Sequence, residues 1–267
     1  MSSETETQVA QRAGADSWSS PWIGLARFGA AALQRAISPS TYNGVTLEVV
    51  QKQIYFTAWE ILPGFTAFVA LLCVVIIQIV GNTAKGFGLY GYALELVIRV
   101  LALEVLPLLT AVFVALRTGA AMSTEVALMK IHNELEAFEL IGIDPVRFEL
   151  IPRVIGGTIA VLALTAVSIV IALGLAHLVI VDFQPWSLPQ GDFARAVGKV
   201  FDLPAMLLLW TKTLAFGLAV TVIPISQALA TPKRLSYAPV SVLRGMVRLF
   251  FAVMSIEVVA LAIAYVV

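Results

Sequence analysis

The sequence predicts an all-α integral membrane protein, with five transmembrane helices preceded by an N-terminal interfacial amphipathic helix. Of 267 residues, 60% are hydrophobic and only 13% are charged, where a soluble domain averages roughly 45–50% and about 25%. Mean hydropathy is +0.93. Five apolar stretches approach or exceed the ~20 residues that cross a hydrocarbon core of about 30 Å: Pro63–Val80, Ala93–Thr118, Val154–Val181, Pro204–Ala230 and Gly245–Val267. Lysine and arginine gather in alternate connecting loops, as multi-pass topology requires.

Residues 1–20 form a polar, acidic tail (Glu4, Glu6, Asp16). It lacks the basic-then-apolar pattern of a cleaved signal and the Arg-rich pattern of a transit peptide. Residues 21–62 are expected to hold interfacial and elbow helices. In helical projection Trp22, Leu25, Leu33 and Ile37 oppose Arg27, Gln34 and Arg35. That pattern suits a helix lying in the headgroup plane, with a soluble helix packed on the cytoplasmic face as the alternative. Ser38-Pro39-Ser40 ends it, and a second mixed helix over Thr41–Leu62 leads into the transmembrane domain, residues 63–267.

The first span is the shortest and is expected to be thin or partly re-entrant, and the third is the longest and is expected to be tilted or broken. Pro107 and Pro224 interrupt the second and fourth, where kinks would serve either a cavity or packing. Arg12, Arg27, Arg35 and Lys52 precede the first span. Lys130, Arg147 and Arg153 follow the second, with Arg117 at its edge, and Lys233, Arg234 and Arg244 follow the fourth, with Arg248 beside them. The opposite loops carry only Lys85, Arg195 and Lys199, so the N-terminus is expected in the cytoplasm and the C-terminus outside.

Seventeen basic and 17 acidic residues give a net charge of zero, which removes bulk attraction to nucleic acid. The single cysteine, Cys73, permits neither an intrachain disulfide nor a thiolate metal cluster. His177 lacks a second histidine for a metal site and reads as a packing residue, so no metal is expected. Neither a P-loop, nor a G-x-S-x-G elbow, nor an H-E-x-x-H helix occurs. No catalysis and no cofactor are therefore expected in this chain.

Ionisable groups within a span cost roughly 2.5–3.5 kcal/mol each, so each needs a partner or a wet cavity. Glu104 in the second span, Lys212 in the fourth and Glu257 in the fifth share a depth near mid-membrane. Arg99 lies nearer the outer surface, one turn from Glu95, with which it can pair. One reading is a buried interhelical ion pair that orients the bundle. The other is a polar pocket in a greasy cavity, formed with Arg99 and Gln78, where the charged head of an apolar-tailed substrate binds.

The loop from Gly119 to Arg153 contains a compact helix over residues 133–142. Asn133 is the expected N-cap, acids fill the first turn and Gly142 ends it. Leu135 and Phe138, flanked by Glu134, Glu136 and Glu139, offer apolar anchors for a groove on a soluble partner, unless the helix folds back on its own bundle.

Glu125-Val126-Ala127-Leu128-Met129-Lys130, Glu136-Ala137, Gly142-Ile143-Asp144-Pro145-Val146-Arg147 and Ile151-Pro152-Arg153 resemble the signature of MlaE-type permeases, the membrane subunits of MCE-associated ABC lipid transporters. The likeness is detailed from about Glu104 to Arg153 and extends in span order over nearly the whole chain. It implies that Glu134, Leu135, Phe138 and Glu139 lie on a coupling helix that meets the ATPase, with Asp144-Pro145 fixing the following turn. Glu104 before Pro107, Lys212 in Thr211-Lys212-Thr213, and Glu257 match further family positions. Leu103, Leu106 and Ala127 replace an arginine and two glycines of the family pattern; Arg99 is a candidate to stand in for that arginine.

The resemblance further implies a homodimer in a bacterial inner membrane, cytoplasmic ATPase subunits that bind the ATP, a periplasmic MCE-domain protein, a STAS-type accessory subunit and a phospholipid substrate. The expected role is maintenance of outer-membrane lipid asymmetry. An ion-coupled secondary transporter, in which Glu104 and Glu257 titrate, and a non-transporting membrane scaffold are the alternatives; the first predicts inverted repeats that the sequence does not display.

Overall fold

A computed structural model of the chain describes residues 28–30, 32, 34, 44–87, 90–179 and 190–266. The residue 1–20 tail, most of the interfacial helix and the Ser38-Pro39-Ser40 stop lie outside these. Residues 28–30, 32 and 34 are helical; Ala32 is buried and Phe28 packs on the bundle.

No strand occurs among the described residues, and five helical segments are long and apolar enough to cross a membrane. α1 (Gly44–Ile54) runs through a π-helical turn (Tyr55–Trp59) into the first membrane helix, α2 (Leu62–Phe87). The second span is composite: α3 (Tyr90–Ile98), a π-helical stretch (Arg99–Val105), α4 (Leu106–Val114), a π turn (Ala115–Gly119) and α5 (Ala120–Ile131). The short α6 (Glu134–Leu140) follows, then a π turn (Val146–Leu150) and the third span, α7 (Ile151–His177). α8 (Gln190–Val200), the fourth span α9 (Leu203–Leu229) and the fifth α10 (Ala238–Val266) complete the chain.

A thin or re-entrant first span and a break in the third are both corrected. The first span is an unbroken 26-residue helix rather than thin or re-entrant. Its helix continues past the apolar run through Asn82 and Thr83, whose hydroxyl donates to the Ile79 carbonyl at 2.8 Å. The third span is an unbroken α-helix of 27 residues.

The prolines act differently from one another. Pro107 stands at the start of α4, directly after the π-helical stretch, and the Leu106 N–H reaches back five residues to the Leu101 carbonyl. A proline cannot donate and crowds the preceding turn, and widening the helix there relieves both effects. Pro224 sits within the continuous α9. A Cβ placed on Gly119 would lie 3.4 Å from the Val220 carbonyl, which is the one Pro224 cannot engage.

α9 is the hub, packing most extensively on α10 and α7. The α7–α9 contact is reciprocal. Gly157 faces Thr221 and Gly217 faces Thr158, where an added Cβ would come within 2.5 and 2.9 Å of the threonine methyls. Small residues let membrane helices approach closely, so dispersion contacts replace the hydrophobic drive that lipid removes. The threonines satisfy their own hydroxyls on the helix: Thr158 on the Val154 carbonyl (2.7 Å) and Thr221 on the Gly217 carbonyl (2.9 Å).

Candidate functional site

Three spans deliver one charged cluster. Lys212 of α9 donates through Nζ to Glu104 Oε2 and to Glu257 Oε1 of α10, the latter at 3.4 Å. The Lys212 side chain is 2% exposed, Glu257 9% and Glu104 15%. Glu104 is presented by the π-helical stretch ahead of Pro107, so the element that accommodates the proline also carries the acid. Two carboxylates share one ammonium, and Glu257 Oε2 is buried without a hydrogen-bond partner. Removing Lys212 would leave both carboxylates as uncompensated buried charges.

The cluster borders a cavity of about 390 Å³ lined by Arg99, Leu103, Glu104, Asp202, Lys212 and Ile263, among others. Glu104 and Lys212 face it, whereas Glu257 supports Lys212 from outside the lining. Arg99 lines the cavity as well; Glu95 meets Lys199 of α8 at 3.7 Å instead of pairing with Arg99. Leu103 is buried in the lining. Asp202 caps α9, accepting from the Ala205 N–H at 2.9 Å. Such a space, apolar on most sides with a few converging ionic groups, suits a molecule with a polar end.

Gln78 does not join this lining and is half-buried on α2. The first span packs against α7 and α3, whereas the cluster lies where the second, fourth and fifth spans meet. His177 packs edge-on against Phe193 of α8, with ring centroids 5.2 Å apart.

At the end of the bundle that carries the loop between the second and third spans, α6 forms where expected but is held differently. Asn133 adopts a left-handed conformation (φ 61°), and its side chain caps no backbone N–H. Its Oδ1 instead accepts from Lys233 Nζ at 2.8 Å, and the same ammonium donates to Glu136. Sequence reading missed Lys233, which the α9–α10 loop brings in from about a hundred residues away. Gly142 (φ 79°) ends the helix, and the Ile143 N–H closes on the Phe138 carbonyl at 2.9 Å. Asp144 Oδ1 then accepts from the N–H groups of Val146 (3.0 Å) and Arg147 (3.4 Å), starting the next helix after the buried Pro145.

The apolar residues of α6 divide between two sides. Leu135 and Phe138 are half-buried toward the bundle, because α6 folds onto α5. Leu140 and Ile141 stand out, at 88% and 69% exposure, beside exposed Glu134 and Glu139. The clue was available: a seven-residue helix has room for one inward face, and the apolar residues at its C-terminal end fall outside it.

The family model for permease MlaE matches residues 50–263. Relatives include a probable ABC transporter permease of Synechocystis, 29% identical over 48% of this chain and 48% of its own. The intermembrane phospholipid transport system permease protein MlaE of Haemophilus influenzae is 30% identical over 50% of this chain and 55% of its own. A probable ABC transporter permease of Rickettsia typhi is 27% identical over 58% of each. The chain thus spans about half the length of the relatives it matches. With a match running from α1 almost to the end of α10, the chain is a multi-pass membrane protein of the MlaE permease family.

Proposed function

We propose that this chain is the permease subunit of an ABC transporter that moves a phospholipid between the inner membrane and a periplasmic MCE-domain protein. The observation that carries the reading is the Glu104–Lys212–Glu257 cluster, an expensive ionic group kept in the membrane interior beside a cavity. A lipid headgroup resting there accounts for its position.

A cavity of about 390 Å³ holds a headgroup and not two acyl chains. Two copies related by two-fold symmetry would enlarge it, which fits Ile263 and Ala264 of the least-buried span at its edge. ATP hydrolysis falls to separate cytoplasmic subunits docked under α6, and a STAS-type subunit completes the assembly. The N-terminus lies in the cytoplasm, the C-terminus in the periplasm, and the physiological role is outer-membrane lipid asymmetry.

The test is reconstitution with its ATPase and MCE partners, following labelled phospholipid between vesicles and the MCE protein. Transfer that requires ATP supports the reading. Transfer that persists without nucleotide and collapses with the proton gradient would replace it with ion-coupled transport.

A further inference from the structure

A second cavity, of about 560 Å³, lies between α1 with its π turn, the cytoplasmic part of the second span, and the start of α7. It is separated from the Glu104 cluster by more than three turns along the second span, since Glu104 and Arg117 stand thirteen positions apart. Its wall carries charges of both signs: Lys52, Arg117 and Arg153 with Glu60, Glu125 and Glu149. Phe56, 49% exposed, gives it an apolar side.

The donors here are incompletely used. Arg153, 12% exposed, spends Nη2 on Glu149 at 2.5 Å. Its Nη1 is buried without a hydrogen-bond partner, with Glu125 Oε2 3.5 Å away. Lys52 makes no ion pair among the described residues. Arg117 and Glu60 meet at 3.2 Å but are half exposed, so water screens the pair and little holds it closed. A buried guanidinium N–H left without an acceptor is costly, and a phosphate oxygen is a geometrically matched acceptor. The acids make a purely anionic ligand a poor fit, whereas an ammonium on the same molecule would meet Glu60 or Glu125.

We propose that this cavity binds the headgroup of a zwitterionic aminophospholipid from the cytoplasmic leaflet. The phosphate lies against Lys52 and Arg153, the ammonium against Glu60 and Glu125, and the acyl chains leave past Phe56. The surrounding basic loops set the cavity at the cytoplasmic headgroup level, where such a lipid is at hand. The site is distinct from the mid-membrane cluster, and occupancy requires neither ATP nor transport.

The experiment installs the photo-crosslinker p-benzoylphenylalanine at Phe56 of the full chain. The protein is reconstituted in phosphatidylcholine vesicles holding equal minor fractions of phosphatidylethanolamine and phosphatidylglycerol, and adducts are identified by mass. The expected adduct is phosphatidylethanolamine, several-fold over phosphatidylglycerol. It should fall about tenfold with exposed Lys52→Glu, as expected for loss of one charge-assisted contact, and be retained with Lys52→Arg. Adducts that mirror vesicle composition, or that are indifferent to Lys52→Glu, overturn the site. Suppression by excess free phosphoethanolamine would assign it to a soluble phosphate ester and overturn the lipid source. Because no nucleotide is present, these outcomes are independent of whether the chain transports.

Discussion

Lys212 of the fourth span donates to Glu257 of the fifth across 3.4 Å while also holding Glu104 of the second. One ammonium thereby ties three spans at a common depth. Breaking a buried pair by removing one partner costs about 3–5 kcal/mol because the other charge is left stranded. Lys212→Met is therefore expected to lower the thermal unfolding temperature in detergent markedly. Glu257→Gln should cost less, since Glu104 remains to pair the lysine.

The reciprocal contacts of Gly157 with Thr221 and of Gly217 with Thr158 leave no room for a side chain. Gly217→Val is expected to destabilise the bundle by about 1–3 kcal/mol through overpacking. The change should appear as a lower unfolding midpoint. Gly174→Ala, where an added Cβ meets nothing within 4 Å, is the control and should be near neutral.

Lys233 joins the α9–α10 loop to both Asn133 and Glu136 at the start of α6. Exposed ion pairs contribute about 0–1 kcal/mol, so Lys233→Ala should leave global stability almost unchanged. Locally it frees the helix, and hydrogen exchange across Glu134–Leu140 should accelerate. Unaltered exchange there would remove the anchoring role.

Leu140 and Ile141 are exposed, whereas Leu135 is half-buried. Leu140→Asp with Ile141→Asp should fold within about 0.5 kcal/mol of wild type, as surface changes do. Under the proposed docking, it should lose co-purification with the ATPase subunit. Leu135→Asp should instead reduce stability.

The number of spans, the depth shared by Glu104, Lys212 and Glu257, and the end of α6 at Gly142 were legible because each follows from local rules. Hydrophobic run length counts helices, rise per residue sets depth, and a C-terminal glycine supplies positive φ. What escaped depends on pairing between distant segments. Asn133 was read as a cap because its type suits one, but Lys233, far away in sequence, claims its side chain. Gln78 shares the apolar setting of the cluster residues, yet the first span packs on α7 and α3, away from them. Apolar run length also understated the first span, since helix persists through polar Asn82 and Thr83.

The most direct measurement removes all three ionisable groups at once, in Glu104→Gln, Lys212→Met, Glu257→Gln combined. With no stranded charge, its unfolding temperature should stay at or above that of wild type. The account predicts that this stable triple variant transfers no labelled phospholipid when assembled with its ATPase and MCE partners. Transfer at the wild-type rate by the stable variant would contradict it, reducing the mid-membrane cluster to a packing element.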